Sequence, residues 1–420
     1  MKNKFILLSL FALPFRSLDA QVIKILFDGS HAETCSNADW IPDADLHDIS
    51  FSGGPASCCS GNKSDPQRVP TPAQSGITAS TAETYWEGGL SAWGVDCAKH
   101  NYIVESLPWN GKITYNDGTN AQDLTNYTIF VVDEPNIVFS AAEKTAMMSW
   151  IQNGGRLFMI SDHTGSDRNG DGWDSPAIWN DFLTNNTVNS SNPFGISYDL
   201  ANFSETTTNI ANIPGDSCLH GPMGNVTQAK WSNGTSMTID PTKNPAVKGV
   251  VYMSASTAGG NTGVMFAHSR FGKGKIAAMG DSSPPDDGTG NPSCTLYNGY
   301  FVDAAGNHQL LLMNATIWLA TFDSPLDVHP NASFVKDVSF FPNPASTTAN
   351  IRFRLEEGQK VKITLNDLVG REVMNLKEEN LMQGENGITF STEELPAGVY
   401  VYKITSDTGL DMGKFIVSHP

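Results

Sequence analysis

Short apolar runs that end in acidic residues or histidine constrain the fold of this chain more than any other feature. They cover residues 22–27, 129–132, 157–160 and 275–279. Apolar runs of this length are typical of buried strands, and segments with helical periodicity lie between them. Strands that alternate with helices predict an α/β fold with a three-layer, mostly parallel sheet.

The residues that follow these runs predict where a functional site lies. The first two runs lead to Asp28 and His31 and to Asp133 and Glu134, and the last two lead to Asp162 and His163 and to Asp281. In a parallel sheet the carboxyl ends of the strands converge on one edge. We therefore expect these side chains to meet there, and we take His31, Asp162, His163 and Asp281 as the candidate catalytic residues.

Three interpretations of these four residues remain open. Imidazole and carboxylate ligands suit zinc, manganese or iron, so the residues could hold a catalytic divalent metal that activates water. Without a metal, His163 or His31 would act as a general base that a carboxylate orients. In the third interpretation these side chains only cap helices and accept hydrogen bonds from loop amides.

A second pattern follows directly after the third run. Asp167, Asn169 and Asp171 alternate along the chain, Gly172 follows, and Trp173 offers a backbone carbonyl. This order reproduces the first half of an EF-hand-type calcium loop, but Ile178 replaces the bidentate glutamate that would close it. The pattern predicts calcium bound by these residues, and the alternative is a loop held by Asx turns.

The N-terminus and the charge indicate an exported protein. Residues 1–20 combine a positive start with a short apolar segment, as a signal peptide does. No later apolar run is long enough for a transmembrane helix. The net charge of −18 argues against nucleic acid or an anionic membrane as a partner.

The even number of cysteines, six, favours disulfide bonds in an exported chain. Adjacent Cys58 and Cys59 are poorly placed to bond each other, so they are expected to pair outward. The pairing that we favour joins them to Cys35 and Cys97 and leaves Cys218 with Cys294, although others are possible. Residues 35–78 would then form an irregular insertion that disulfides hold together.

The composition changes over residues 323–336, which we interpret as a linker. Beyond it, residues 351–355, 361–365 and 399–404 alternate apolar and polar side chains with a period of two. This pattern predicts a small all-β sandwich over residues 337–420.

Four motifs in this C-terminal module resemble a known family. They cover residues 341–345, 368–373, 395–404 and 413–417, and the first reads Phe-Pro-Asn-Pro-Ala. The module is similar to the C-terminal sorting domain of type IX secretion cargo from Bacteroidetes. The resemblance implies the type IX machinery as a partner and transport through the periplasm to the medium or the cell surface. The end, Ser418-His419-Pro420, departs from the basic residue with which the family usually finishes.

Residues 21–322 resemble the class I glutamine amidotransferase-like superfamily. The resemblance rests on the runs that end near His31 and Asn136, on a helix that starts at Ser140, and on residues 154–163 and 280–281. It implies a flavodoxin-like fold and places the site at the turn after residues 157–160. Amidotransferases carry a cysteine nucleophile at this turn, where this chain has Asp162 and His163.

Glutamine hydrolysis by a thiolate is therefore not expected. The preferred hypothesis is a metal-assisted hydrolase of an extracellular substrate, with carbohydrate-linked compounds as a candidate class. The alternative is a non-catalytic binding or cell-surface protein that uses calcium for rigidity.

Overall fold

A computed structural model describes residues 22–33, 38, 40–42, 72–86, 88–108, 110–289, 297–322, 335–367, 371–406 and 409–419. The chain divides into two compact units, residues 1–321 and 322–420. The predicted signal peptide and most of the predicted insertion and linker lie outside the described residues.

The first unit alternates strands and helices as far as residue 184, and strands then predominate up to a final helix. The strands are β1 (Lys24–Asp28), β2 (Ile103–Leu107), β3 (Ile129–Asp133), β4 (Arg156–Ile160), β5 (Ile196–Tyr198), β6 (Phe203–Thr207), β7 (His220–Gly221), β8 (Gly224–Asn225), β9 (Ala229–Gly234), β10 (Met237–Ile239), β11 (Lys248–Tyr252), β12 (Val264–Phe271) and β13 (Gly274–Met279). The helices are α1 (Ser91–Lys99), α2 (Ala141–Gln152), α3 (Ser175–Thr184) and α4 (Asn307–Ala320). Short 3-10 helices cover Pro72–Gly76, Glu83–Tyr85, Leu124–Asn126 and Asp303–Gly306.

Nine of the described strands form one mixed sheet, in the order β2-β1-β3-β4-β13-β12-β10-β5 with β11 beside β12. The strands from β2 to β13 in this order are parallel. The other neighbours are antiparallel. A tight turn joins β12 to β13, and a connection this short can join only antiparallel strands. The prediction of helices alternating with strands is thus confirmed for the first half of the unit. The prediction of a mostly parallel sheet is wrong for the second half.

Aromatic side chains fill the space between the parallel strands and α1. Trp93 is fully buried, and its ring centroid lies 5.3 Å from that of Phe27 and 5.2 Å from that of Phe158, both edge to face. Strands β3 and β4 are buried along their whole length. Burial on both faces is what continuous apolar runs predict for parallel strands.

Helix α2 begins at the capping box that the sequence predicts. The hydroxyl of Ser140 accepts a hydrogen bond from the backbone N–H of Glu143 at 3.3 Å, and the Glu143 carboxylate accepts one from the Ser140 N–H at 2.8 Å. This box fixes the start of the helix and holds the Glu143 carboxylate next to the loop after β1.

The C-terminal end of α2 meets the tight turn of the β12–β13 hairpin. The Lys273 N–H donates to the carbonyl of Gln152 at 3.0 Å, so a distant hairpin satisfies a terminal helix carbonyl. Glycines permit this approach, since a Cβ on Gly272 would lie 2.3 Å from the Gln152 oxygen and one on Gly274 2.0 Å from the Ile151 oxygen. Gly272 also has a φ of 59°.

Strands β1, β3, β4 and β13 are neighbours, and their carboxyl ends share one edge of the sheet. Asp28 and Asp133 are the last residues of β1 and β3, whereas Asp162 and Asp281 lie just beyond the ends of β4 and β13. The predicted convergence of these four acidic residues on one edge is confirmed.

The second unit consists of two small antiparallel sheets. Its strands are β14 (Val335–Phe341), β15 (Thr348–Leu355), β16 (Gln359–Asn366), β17 (Glu372–Leu381), β18 (Gly384–Ser391), β19 (Gly398–Ser406) and β20 (Gly409–Val417). They pair in the orders β14-β15-β18 and β17-β16-β19-β20. Both sheets contribute to one core, which contains Ile351, Ile363, Tyr402 and Phe415.

Two of the six cysteines lie in the described part of the chain, and both are free and buried. Burial raises the pKa of the Cys97 thiol, and of the Cys218 thiol, well above the ordinary value. The expected bonds of Cys97 and Cys218 are therefore not formed in this structure. Cys35, Cys58, Cys59 and Cys294 lie outside the described residues.

Candidate functional site

A small polar cavity of about 130 Å³ opens at the shared strand edge. It combines acidic, basic, aromatic and hydroxyl side chains, and we call it the Arg168 cavity. Its lining residues are Trp40, Asp162, His163, Arg168, Ser232, Asn233, Ser282, Ser283 and Tyr297.

Arg168 is fixed between two buried carboxylates. Its Nε lies 2.5 Å from Glu134 Oε1, and its Nη2 lies 3.1 Å from Asp162 Oδ2. The side chain of Glu134 is fully buried, and that of Arg168 is 16% exposed. Burial alone would lower the pKa of Arg168, but Glu134 and Asp162 raise it above its usual value. The guanidinium is therefore a permanent positive charge in the wall of the cavity.

Glu134 has an unusual backbone conformation, with a φ of 48°. Its N–H still donates to the Ile160 carbonyl at 3.0 Å, so the residue lies at the end of the β3–β4 ladder. Its second carboxylate oxygen accepts from Ser282 Oγ at 2.9 Å and from the Trp40 ring N–H. A left-handed conformation is strained for glutamate, and such strain is concentrated at functional sites.

Asp162 lies beside Glu134 at the same buried edge of the sheet, and this environment favours the protonated form of the Asp162 carboxyl. Burial raises the pKa of its carboxyl well above the usual range, the negative charges of Glu134 and Asp281 raise it further, and Arg168 opposes them. A hydrogen bond to the Glu134 carboxylate also favours the protonated form. Two adjacent carboxyl groups that cannot both ionise share a proton.

His163 is a partly accessible titratable group of the cavity, with a side chain that is 21% exposed. Its Nδ1 lies 2.8 Å from the Thr164 carbonyl, which can only accept, so Nδ1 carries a proton. Asn202 Nδ2 lies 3.0 Å from the same nitrogen, and a flip of the amide would place its oxygen there as an acceptor. In the neutral ring Nε2 is then the acceptor, and it lies 3.7 Å from Asp162 Oδ2.

Asp281 holds two serines of the cavity wall in place. Its carboxylate accepts from the Ser283 N–H at 2.8 Å and from the Ser232 N–H, and both serines line the cavity. Burial raises the pKa of Asp281 to about 7, against the effect of these two hydrogen bonds. Asp281 is thus a positioning group for the two serines.

Asp133 adds a further buried acid at this edge. Neither of its carboxyl oxygens meets a hydrogen-bond donor in the described part of the chain. Burial, followed by the charges of Glu134 and Asp281, raises its pKa well above the usual value. The neutral acid is therefore the favoured form of Asp133, which limits the negative charge next to the cavity.

His31 lies in a separate cluster after β1. Its Nδ1 donates to Asp28 Oδ2 at 2.8 Å, and its Nε2 lies 3.7 Å from Glu143 Oε2. Burial would lower the pKa of His31, but the carboxylates of Asp28, Glu143 and Glu33 together raise it to about 10. His31 is therefore an imidazolium that links β1 to the capping box of α2.

The four predicted catalytic residues are thus only partly brought together. Asp162 and His163 line the cavity, Asp281 supports it, and His31 belongs to the Asp28 cluster. Within the described ranges, three ligand atoms come within 4.8 Å of one another only in the groups Asp28–His31–Glu33 and Asp216–Cys218–His268. Asp162, His163 and Asp281 do not form such a group, and their roles stay predictions.

The predicted calcium loop wraps around Asp167. The Asp167 carboxylate accepts from the backbone N–H groups of Gly170, Asp171 and Gly172 at 2.8, 3.0 and 2.8 Å. Asn169 donates to Asp171 Oδ2 at 2.9 Å. Asx turns thus hold the loop in this structure, and calcium binding by Asp167, Asn169, Asp171 and Trp173 stays a prediction.

Sequence reasoning missed three important residues of the site. Trp40 belongs to a segment without periodicity, and Tyr297 follows a turn-rich segment, so neither had a usable signal. Arg168 had one, since it is the one basic residue in the acidic stretch from Ser161 to Asp174. A lone arginine among carboxylates is a candidate for a buried ion pair.

Comparison with known proteins identifies the C-terminal module. Residues 339–418 match the family described as "Secretion system C-terminal sorting domain". The predicted type IX sorting domain is confirmed, and the chain is a cargo protein of type IX secretion that is secreted or exposed at the cell surface. No family match supports the amidotransferase-like assignment, and no curated protein matches the chain. None of the described helices is long and apolar enough to cross a membrane.

Solved structures are similar only at a low level. The Ig1 domain of mouse SynCAM 2 has a TM-score of 0.13 and 13% identity, over 17% of this chain and 81% of that one. The sulfur carrier protein SoxY from Chlorobium limicola has a TM-score of 0.16 and 10% identity, over 21% of this chain and 81% of that one. The endo-beta-1,4-mannanase from Thermotoga petrophila has a TM-score of 0.15 and 13% identity, over 28% of this chain and 24% of that one. Similarity at this level supports no functional argument.

Proposed function

We propose that the first unit is an exported hydrolase that works by acid–base chemistry in the Arg168 cavity. The observation that supports this most is the pairing of His163 with Asp162 at the mouth of the cavity. A ring nitrogen able to accept a proton lies 3.7 Å from a carboxyl whose pKa is raised well above the usual range. A carboxyl group that burial keeps protonated can serve as a general acid.

The proposed chemistry uses both groups. His163 Nε2 takes a proton from a water molecule, which attacks the scissile bond, and Asp162 gives its proton to the leaving oxygen. Arg168 stays bound to Glu134 and stabilises negative charge that develops on the substrate. This version needs no metal, because the donor atoms of Asp162, His163 and Asp281 do not converge on one point.

The fold supports this location of the site. We propose that the unit is a divergent flavodoxin-like, amidotransferase-related domain, because its parallel strands follow the order β2-β1-β3-β4-β13. In chain order this corresponds to the doubly wound pattern whose ligands bind beyond the carboxyl ends of the central strands. The Arg168 cavity lies at that edge.

The lining of the cavity suggests the substrate class. Serine and asparagine side chains and two aromatic rings line the cavity together with Asp162 and Arg168. Hydrogen-bonding side chains beside aromatic rings suit a polar group rich in hydroxyls. We therefore propose a carbohydrate-linked extracellular substrate.

The test is a panel of chromogenic glycosides, esters and amides, assayed on the mature chain with and without a chelator. For the substrate class that is turned over, His163→Gln and Asp162→Asn should each lower kcat/KM by about 10²–10⁴-fold. His220→Gln is the matched control, since His220 is an exposed histidine of the same unit outside the cavity. Turnover that survives both cavity variants, or no turnover of any class, would contradict the proposal.

A second candidate function is a calcium-stabilised binding or cell-surface protein. The carboxylates of Asp167 and Asp171 at alternate positions of an exposed loop favour it. Calcium should then raise the melting temperature of the wild type relative to chelator, and Asp167→Asn should remove the difference. Equal melting temperatures in calcium and in chelator would exclude this function.

A further inference from the structure

A cysteine, a histidine and an aspartate converge outside the Arg168 cavity. Asp216, Cys218 and His268 each offer one ligand atom, and these atoms lie within 4.8 Å of one another. Asp216 and Cys218 belong to the turn before β7, and His268 belongs to β12. The catalytic proposal uses none of the three.

The turn fixes the carboxylate of this group. Asp216 Oδ1 accepts from the backbone N–H groups of Cys218 and Leu219 at 2.9 and 3.2 Å. The other oxygen, Oδ2, lies 2.7 Å from His268 Nε2. The ring of Trp318 lies 4.8 Å from the His268 ring and limits its rotation. All three donor groups are thus held in place before any ligand arrives.

The group is buried and chemically mixed. Cys218 is fully buried, and the side chains of Asp216 and His268 are 5% and 12% exposed. Sulfur, imidazole nitrogen and carboxylate oxygen form a donor set that zinc takes in proteins. A thiolate and a carboxylate beside a neutral imidazole would balance the charge of one divalent cation.

We propose that Asp216, Cys218 and His268 bind a divalent cation of the zinc class, with water as a fourth ligand on the exposed side of His268. In a tetrahedral zinc site the nitrogen and oxygen ligands lie roughly 3.3 Å apart. The 2.7 Å between Asp216 and His268 therefore widens slightly as the cation enters. The cation also replaces the proton on the Cys218 thiol, which is released to solvent.

The other convergent group, Asp28–His31–Glu33, does not need a metal. Its imidazole is bonded through Nδ1 to Asp28, and the pKa of His31 is raised to about 10. The imidazolium already supplies the positive charge that these acids favour. In the Cys218 group the positive charge next to the thiol comes from Lys275, from His268 or from a bound cation.

Cobalt(II) titration of the reduced, metal-stripped mature chain tests the proposal, because a cysteine thiolate bound to cobalt gives a near-ultraviolet charge-transfer band. We expect the band in the wild type at a stoichiometry of one, and its displacement by zinc. Cys218→Ser should abolish the band and weaken cobalt binding by at least about 100-fold, since loss of even an outer-shell partner costs 10–100-fold. Cys97→Ser is the matched control, because Cys97 is an equally buried free thiol.

The remaining outcomes overturn the proposal. A wild type without the band, a band that survives in Cys218→Ser, or a band that Cys97→Ser removes would each exclude this site. So would a disulfide at Cys218 in the exported protein. If Cys218→Ser does not fold, His268→Asn is the variant to test, because His268 is partly exposed. His268→Asn weakens cobalt binding if the site exists and leaves cobalt binding unchanged if it does not. Chelator addition separates this result from the hydrolase proposal, which requires no metal.

Discussion

Replacement of Arg168 by glutamine should destabilise the first unit far more than removal of a surface charge. The arginine contacts Glu134 at 2.5 Å and Asp162 at 3.1 Å, and both carboxylates are buried. At an effective dielectric constant of about 20, the pair with Glu134 contributes roughly 7 kcal/mol of attraction before desolvation is subtracted. Asp162, whose raised pKa favours the protonated form, adds a hydrogen bond to the guanidinium rather than a second full ion pair. Loss of one partner from a buried ion pair typically costs about 3–5 kcal/mol.

We therefore expect the free energy of unfolding of Arg168→Gln to fall by about 3–5 kcal/mol at neutral pH. The melting temperature should fall by roughly 6–20 °C, given about 2–4 °C per kcal/mol for domains of about 150–250 residues. Lys230→Gln is the control in the same unit. It removes an ion pair with Asp303 at 2.9 Å whose side chains are 39% and 25% exposed, and it should cost less than about 1 kcal/mol.

Urea unfolding followed by tryptophan fluorescence measures this difference cleanly. All nine tryptophans precede residue 322, so the signal reports on the first unit alone.

The pH dependence of the stability defect supplies a second criterion. Because the pKa of Asp162 is raised in the folded state, the folded protein takes up a proton as the pH falls, and the defect of Arg168→Gln should shrink on acidification. Equal midpoints for Arg168→Gln and Lys230→Gln, or a defect that grows at low pH, would refute the reasoning.

Three further predictions concern other parts of the chain. The pKa of His31 is raised to about 10, so its ion pair stabilises fully below about pH 6.5 and is lost as the pH rises through about 10; the wild type should lose stability over this range more steeply than His31→Gln, and parallel urea midpoints would contradict this. Phe158→Ala should cost about 3–5 kcal/mol by urea unfolding because the ring is fully buried, whereas Leu200→Ala, at a 66% exposed position, should change stability by less than about 0.5 kcal/mol. Removal of residues 323–420 should leave the fluorescence-detected midpoint unchanged, since the two units have separate cores, and an insoluble product would reject that expectation.

The elements that were predictable are those with a strong local signal. The buried runs before Asp133 and Ser161 form β3 and β4, and Ser140 with Glu143 forms the capping box. The motifs of the C-terminal module identify its family because several occur in order. In each case the signal comes from residues that are close together in the sequence.

The features that were not predictable depend on contacts between distant segments. The short strands β10 and β11 pair with the distant strand β12, and the polar composition of residues 186–248 does not predict this pairing. Trp40 reaches the cavity from the segment between β1 and β2, and Tyr297 reaches it from the segment after β13. His31 was expected beside His163, but Asp28 and Glu33 of its own segment and Glu143 of α2 hold it elsewhere.

The glycines at the junction of α2 with the β12–β13 hairpin bear on how relatives of this chain could be recognised. Side chains cannot be accommodated at Gly272 or Gly274 without moving the end of α2, whereas the acidic residues at the sheet edge can change as chemistry diverges. Relatives that keep the architecture should therefore still show glycine at both positions, together with the glycine pair Gly154-Gly155 after α2. A profile that weights this spacing of glycines would detect ancestry where overall identity no longer does.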